Sequence, residues 1–184
     1  QKIENEYSNL KCILSEKNLG YAKGNNLGLS FVKTQFALII NPDAEIQSDT
    51  IKNFLLTAQI KPNFAIIAPY IQENQNNLIN QKKERSLFEV KSVKGFAMFL
   101  NMDQFKDIGF FDENFFIYFE EIDLCKKLIK NEKKIFLDTS IKINHFGGTS
   151  HEESINYEME KSRNWHWMWS SFYFHKKHYG YFLA

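Results

Sequence analysis

The sequence predicts an α/β fold in which apolar strands alternate with amphipathic helices. Two short apolar runs, Phe36–Ile40 and Phe64–Ile71, have the composition of buried strands. Segments with helical periodicity stand between such runs, and this alternation is typical of an α/β sandwich. The chain has 184 residues, 43% of them hydrophobic. That size suits one domain with an appended helix, and it allows a substantial core.

Charge excludes one class of function. The chain carries 23 basic and 22 acidic residues, a formal net charge of +1. A nucleic-acid-binding domain would carry a clear basic excess, so we expect no nucleic-acid partner. No apolar run reaches the length of a membrane span. We therefore expect a cytoplasmic protein.

The expected elements follow from local pattern. In the first part of the chain we predict three strands, at Leu10–Leu14, Phe36–Ile40 and Phe64–Ile71. A glycine-rich loop entering a helix is predicted at Asn18–Gly28, and a second helix at Ser48–Gln59. After a polar surface loop at Gln72–Arg85, we predict three more strands, at Val93–Leu100, Lys134–Leu137 and Ile141–Asn144. The helical segments of this part are a short piece at Met102–Ile108, an amphipathic helix at Phe116–Lys130 and a long helix at Ser154–His178. We assign residues 1–150 to one domain and residues 151–184 to an aromatic-rich helical extension.

Asp43 stands where a ligand is expected. The strand Phe36–Ile40 stops at Asn41-Pro42-Asp43, because a proline cannot donate to the sheet ladder. In open α/β sheets, ligands bind beyond the carboxyl ends of strands, so Asp43 can reach a ligand or a divalent cation. Asn-Pro-Asp is also ordinary turn chemistry, and that alternative stays open.

Glu121 occupies an unusual position on the helix predicted at Phe116–Lys130. A helical wheel places it in the middle of the apolar stripe, with Glu120 and Asp123 on the opposite, polar face. A carboxylate on an apolar stripe must be paired, bound to a metal or raised in pKa, and such a group is a candidate general base. The alternative is a later helix start, with the acids merely decorating the first turn.

Three further features have both a functional and a structural interpretation. His145 follows a strand and can bind a metal through its imidazole, or it can be purely structural. The glycines at positions 20, 24 and 28 allow close approach of a ligand or of a packed sheet. The aromatic segment Asn164–Phe182 fits a helix at a membrane surface or one packed on the domain.

Five segments, taken in order, resemble the family 2 glycosyltransferases of the GT-A fold. They are most similar to bacterial rhamnosyltransferase-type enzymes of surface-polysaccharide assembly. The segments are NLGYAKGNNLG, LIINPDAEI, VKGFAMFL, IGFFDENFFIYFEEIDLC and INHFGGTS. The resemblance implies a GT-A-like (Rossmann-like) mixed sheet flanked by helices, with a C-terminal helical extension. The family's first, nucleotide-binding strands have no counterpart, so we expect a fold truncated at its N-terminus.

The resemblance also implies roles for individual residues. Asp43 matches the aspartate that binds metal and diphosphate, with Asn41 in place of the first acid of D-x-D. His145 matches the second ligand of a Mg²⁺ or Mn²⁺ ion. Glu121 matches the catalytic base, usually an aspartate in the family. The longer side chain would displace the reacting geometry by more than about an ångström, and misplacement on that scale can cost about 10²-fold in rate.

Substrate-binding roles follow in the same way. The family's donor-nucleotide loop is matched by Asn18, Gly20 and Asn26, and its acceptor region by Gly95, Phe96, Glu120 and Asp123. The implied donor is a dTDP- or UDP-sugar. The implied acceptor is a glycan or a lipid-linked glycan, reached at the inner face of the plasma membrane with peripheral membrane contact.

The implied reaction is an inverting transfer of a sugar to an acceptor hydroxyl in polysaccharide or lipopolysaccharide assembly. The alternative is a non-catalytic domain on the same fold that binds sugar or a partner. A nucleotidyltransferase would need a glycine-rich basic N-terminal loop, and a dehydrogenase would need G-x-G-x-x-G. Neither motif is present in the sequence.

Overall fold

A computed structural model describes residues 2–70, 85–145 and 156–183. Within these ranges, the α-helices are α1 Lys2–Glu6, α2 Gly20–Ser30, α3 Thr50–Ile60, α4 Glu120–Lys130 and α5 Asn156–Tyr179. The strands are β1 Phe36–Ile40, β2 Ala44–Ile46, β3 Phe64–Pro69, β4 Leu87–Glu89, β5 Ala97–Asn101, β6 Lys134–Asp138 and β7 Ile143–His145. Two 3₁₀ segments lie at Met102–Phe105 and Tyr181–Leu183.

The central sheet is mixed, as the sequence predicts. Its strand order is β1-β5-β3-β6-β4. The pair β3 and β6 is parallel, and the other neighbouring pairs are antiparallel. All six residues of β3 are buried, because helices cover both faces of the sheet at its centre. The α/β class and the flanking helices are therefore confirmed.

β1 has the predicted bounds but a different environment. We expected a strand buried on both faces, yet β1 lies at one end of the described sheet and only Ile39 is fully buried. Directly after it, β2 leaves the main sheet and pairs antiparallel with β7, placing Ala44 opposite His145. This small second sheet joins two distant parts of the chain, and it positions the candidate site.

Aromatic packing fills the space between α3 and the sheet. The Phe99 ring stacks between Phe54 and Phe64, at centroid distances of 5.0 and 5.8 Å. Full burial of one such side chain stabilises a fold by about 1.5–3 kcal/mol. The cluster gives α3 and β3 the positions that the hydrophobic periodicity predicts.

The helix predicted at Phe116–Lys130 begins four residues later than expected. Tyr118 and Phe119 have left-handed backbone angles, with φ of 72° and 67°, so the helix starts only at Glu120. Helix α5 packs over this corner. Ser170 Oγ donates a hydrogen bond of 2.8 Å to the Ile117 carbonyl, and the Phe174 ring lies 5.3 Å from that of Phe119.

Two other boundaries differ from the prediction. Leu10–Leu14 forms no strand, and Leu14 is 82% exposed, since no described strand pairs with this segment. The strand predicted from Val93 begins at Ala97 because the Gly95 carbonyl accepts a hydrogen bond from the Tyr21 hydroxyl instead of joining a ladder. Most of the predicted surface loop at Gln72–Arg85 lies outside the described residues. Within the described ranges, no helix is both long enough and apolar enough to cross a bilayer.

Candidate active site

The β2–β7 pair brings Asp43 and His145 together from positions 102 residues apart. Asp43 Oδ1 lies 3.4 Å from His145 Nε2. The imidazole is held by stacking on the Phe96 ring, with centroids 4.5 Å apart. The Asn41 amide donates a hydrogen bond of 2.8 Å to the Phe96 carbonyl, which fixes the corner before Asp43. The carboxylate and the imidazole therefore meet beyond the end of β1.

This pair fits a divalent cation. Asp43 Oδ1 is buried and has no hydrogen-bond partner in the structure, which is costly unless a cation or a ligand donor satisfies it. Two ligands in adjacent octahedral positions about 2.1 Å from Mg²⁺ stand about 3 Å apart, close to the observed spacing. In the described part of the chain, no cluster of three or more His, Cys, Asp or Glu is arranged for a metal. Substrate oxygens would have to complete the coordination.

Glu121 lies in the first turn of α4 and opens onto a cavity of about 270 Å³. The other lining residues come from four parts of the chain: Pro69, Ser92, Val93, Lys94, Ile122 and Leu137. Glu121 Oε2 is buried without a hydrogen-bond partner. Burial raises the pKa of this carboxyl, while backbone hydrogen bonds and the Lys94 charge act in the opposite direction. A buried, unsatisfied carboxylate facing a cavity has the chemistry of a proton acceptor.

Gly95 and Phe96 connect the two halves of the site. A Cβ added to Gly95 would lie 3.6 Å from Glu121 Cβ, an ordinary contact, and 3.2 Å from the Tyr21 hydroxyl, which it would crowd. The next residue, Phe96, carries the His145 ring on its face. Glu121 and His145 thus lie beside consecutive residues just before β5.

Glu120 and Asp123 do not lie on a solvated face, and the helical-wheel prediction for them is wrong. They are only 5% and 1% exposed, and residues Lys177 and His178 of α5 cover Asp123. Burial and the neighbouring Glu121 charge raise the pKa of Glu120 to about 8. Both Asp123 oxygens already accept hydrogen bonds, from Lys177 Nζ at 2.7 and 2.8 Å and from His178 Nε2 at 2.8 Å. The acceptor contact implied for Asp123 would therefore have to compete with these bonds.

Tyr21 is a site residue that sequence reasoning missed. Its hydroxyl donates to the Gly95 carbonyl, and burial together with the Glu120 and Glu121 charges raises its pKa. The sequence signal was present, since Tyr21 is the aromatic residue inside the glycine-rich segment.

The glycine-rich segment forms one wall of a separate groove of about 260 Å³. Its lining includes Asn18, Gly20, Gly24 and Gly28. Gly20 has φ of 71°, and an added Cβ would overlap a backbone carbonyl, whereas Gly24 and Gly28 have nothing within 4 Å. The interpretation of the glycines as a site of close packing on the sheet is therefore wrong for Gly24 and Gly28.

Asn18 and Asn26 have local partners. Asn18 Oδ1 accepts a hydrogen bond of 3.0 Å from the Gly20 amide at the start of α2. The Asn26 amide group bonds the backbone of Phe111 in both directions, at 2.9 and 3.1 Å. It also donates to Glu113 at 3.1 Å. The side chain of Asn26 thus anchors the turn before α4, and its implied contact with a nucleotide remains a prediction.

The mixed sheet, the acid after its first strand and the carboxylate on the covering helix define a GT-A-like α/β protein. The chain belongs to a particular family of that class. Residues 1–128 match the model for glycosyl transferase family 2. The fold is also that of the crystal structure of S. aureus TarS 1-349 in complex with UDP-GlcNAc, with a TM-score of 0.53 and 18% identity. That similarity covers 90% of this chain and 53% of TarS 1-349.

A curated relative is similar in sequence as well. The low-salt glycan biosynthesis hexosyltransferase Agl10 of Haloferax volcanii is 29% identical over 142 residues, which cover 65% of this chain and 46% of Agl10. The chain thus spans about half the length of the relatives it matches.

Proposed function

We propose that the protein carrying this chain is an inverting glycosyltransferase that moves a sugar from a nucleotide-diphosphate donor to an acceptor hydroxyl. The observation that carries the proposal is the arrangement around Gly95 and Phe96. The Cβ of Glu121 lies beside Gly95, 3.6 Å from where a Cβ on that glycine would stand, and the His145 ring of the acid–imidazole pair stacks on Phe96. Membership of glycosyl transferase family 2 supports the same reaction class.

In the proposed step, Glu121 removes the proton from the acceptor hydroxyl. The hydroxyl oxygen forms the new bond to the anomeric carbon while the bond to the diphosphate breaks on the opposite face, which inverts that centre. The proton ends on Glu121 and the electron pair on the leaving diphosphate. Burial favours this role, because a carboxylate with a raised pKa is a stronger base once it is ionised.

The Asp43–His145 pair would hold Mg²⁺ or Mn²⁺, with Asn41 forming the corner of the same turn. When bound, such an ion supplies positive charge that stabilises the departing diphosphate. The buried Asp43 Oδ1, which has no hydrogen-bond partner and lies 3.4 Å from His145 Nε2, supports this assignment. We propose the groove along Asn18 and Gly20 for the donor side, and Gly95, Phe96 and Glu120 for the acceptor side.

Substrates and location are part of the proposal. TarS 1-349 was solved with UDP-GlcNAc, and Agl10 is described as a glycan-biosynthesis hexosyltransferase. These similarities support a UDP- or dTDP-sugar donor and a glycan or lipid-linked glycan acceptor, in cell-surface polysaccharide assembly. The resemblance in the sequence favours a rhamnosyl group. We place the enzyme at the cytoplasmic face of the membrane, where the exposed tryptophans of α5 would make a peripheral contact.

Glu121→Gln tests the proposed base. The assay uses the protein expressed from the longest reading frame that encodes this chain and measures the release of nucleoside diphosphate. We expect turnover to fall by about 10²–10⁴-fold. The Gln side chain keeps the shape but cannot accept the proton. Glu132→Gln is the matched control, since Glu132 is exposed beyond the far end of α4. Turnover of Glu121→Gln within a few-fold of wild type would remove Glu121 from this role.

The second candidate is a non-catalytic domain that binds sugar or a partner. Calorimetry with UDP- and dTDP-sugars in the presence of Mn²⁺ separates the two. A transferase binds a donor and turns over with an acceptor, whereas the non-catalytic domain shows no turnover under any condition.

A further inference from the structure

A groove of about 380 Å³ lies between the corner that precedes α4 and the N-terminal half of α5, away from the cavity at Glu121. Its lining residues are Tyr118, Glu160, Arg163, Asn164 and Trp167. None of them belongs to the reaction centre described above. The groove combines one large aromatic ring with a carboxylate, an amide and a guanidinium group.

The helix presents these side chains on one face. Residues at spacings of three, four and seven positions share a helical face, and Glu160, Arg163, Asn164 and Trp167 have that spacing. The same stripe continues through Ser170 and Phe174, which are buried against the domain. The packed face of α5 therefore becomes an open groove one turn before Ser170.

Trp167 is both exposed and held in place. It is 54% exposed, yet its ring lies 6.1 Å from the Phe119 ring at an interplanar angle of 57°. An aromatic face that is already positioned loses little conformational entropy when a ligand stacks on it. Tryptophan also offers a large apolar face with a polar edge, which suits ligands that are apolar on one side and polar at the rim.

A sugar ring is the ligand that this chemistry fits. Its axial C–H groups form an apolar face for stacking on Trp167, and its equatorial hydroxyls can donate to the Glu160 carboxylate and pair with the Asn164 amide. A sugar hydroxyl both donates and accepts hydrogen bonds, and the carboxylate and the amide together can satisfy both roles.

The groove is close to the proposed base. Tyr118 precedes Glu121 by three residues, so their Cα atoms are at most about 11 Å apart. The left-handed backbone at Tyr118 and Phe119 is an uncommon conformation for such bulky residues, and strain of this kind concentrates at functional sites. The strained corner carries Tyr118 into the groove and Glu121 into the reaction cavity.

We propose that this groove binds a sugar unit of the acceptor glycan, next to the unit that carries the reacting hydroxyl. The assignment to an acceptor rests on the proposed function. The binding of a sugar at Trp167 does not, because it depends only on the lining of the groove. Tyr118 and Trp167 form the walls, and Glu160 and Asn164 supply the hydrogen bonds.

The test is a set of ligand-detected NMR titrations. The probes are methyl β-D-glucopyranoside, methyl β-D-galactopyranoside, methyl α-L-rhamnopyranoside and triacetylchitotriose, each up to about 50 mM, a range that detects millimolar affinities. We expect at least one probe to bind saturably. Trp167→Ala should weaken that probe about tenfold, as expected for loss of a stacked aromatic face. Glu160→Gln should weaken it as well, and this exposed position carries little risk to folding.

Trp165→Ala is the matched control. Trp165 lies on the same helix and is 64% exposed, but it is not part of the groove. We expect it to bind the probe within about twofold of wild type. The proposal is overturned if no probe binds saturably to wild type, or if Trp167→Ala and Glu160→Gln both bind like Trp165→Ala.

Glu121→Gln separates this proposal from the proposed function. The variant should bind the probe as wild type does while losing turnover. Unchanged turnover in Glu121→Gln, together with weakened binding in Trp167→Ala, would remove the catalytic proposal and leave the sugar site standing. Lost turnover in Glu121→Gln, together with wild-type probe binding in Trp167→Ala, would remove the sugar site and leave the catalytic proposal standing.

Discussion

Replacing Glu120 by glutamine should change how the stability of the fold depends on pH. Glu120 is 5% exposed, and its Oε2 atom is buried without a hydrogen-bond partner. Burial first, and the neighbouring Glu121 charge second, raise its pKa from an ordinary 4.5 to about 8. The folded protein therefore keeps a proton on Glu120 at pH values where the unfolded chain has already lost it.

The direction and the size of the pH dependence follow from this difference in pKa between the folded and the unfolded chain. An acid whose pKa is raised on folding contributes stability that is fully present below about pH 4.5, and that contribution is lost as the pH rises through about 8. At about 1.4 kcal/mol per pH unit, the interval corresponds to at most about 5 kcal/mol. Glutamine mimics the protonated acid at every pH, so Glu120→Gln should not show this loss.

The assay is urea unfolding of wild type and Glu120→Gln at unit intervals between pH 5 and pH 9. We expect the free energy of unfolding of wild type, relative to the variant, to fall by about 3–5 kcal/mol across that range. Glu132→Gln, at an exposed position, should run parallel to wild type. If the difference between wild type and Glu120→Gln is the same at pH 5 and pH 9, then Glu120 is not protonated in the folded state and the reasoning fails.

Two further predictions concern the packing around the site. Lys177→Met should lower the free energy of unfolding by about 3 kcal/mol, measured by chemical denaturation, because the nearly buried Asp123 carboxylate loses its cation. Lys176→Met, at an exposed position, should stay within about 0.5 kcal/mol, and equal losses in the two variants would contradict the prediction. Gly20→Ala should lower the melting temperature, since its φ of 71° and the facing carbonyl leave no room for a Cβ. Gly24→Ala is the comparison, since Gly24 lies in a helix interior with open space around it, and its free energy of unfolding should rise by about 0.5–1 kcal/mol. A Gly20→Ala variant as stable as wild type would contradict the prediction.

Part of the candidate site could be foreseen from the sequence. Asp43 follows an apolar strand and His145 ends one, and in open α/β sheets ligands bind beyond the carboxyl ends of strands. Their contact at 3.4 Å required the pairing of β2 with β7, which join segments far apart in the chain. Local pattern contains no information on which of several short strands will pair, because pairing depends on contacts between distant residues.

The start of α4 could not be foreseen. The sequence at Tyr118–Phe119 has no glycine or asparagine to indicate a left-handed backbone, so the helical pattern extended naturally back to Phe116. Contacts from α5, which begins 37 residues after Phe119, hold this corner in place. Such contacts supply the free energy that the local conformation costs.

The amino-acid pattern alone determined the α/β class, the buried centre of the sheet and the order of the motifs, since each depends on neighbours within a few residues. Tertiary structure decided which carboxylates are solvated. A helical wheel orders side chains around a single helix, and it placed Glu120 and Asp123 on the polar face of α4. Helix α5 then covered Asp123 with Lys177 and His178. Burial of a charge depends on everything packed around it, so the same residues that look solvated in the sequence become the least exposed acids of this helix.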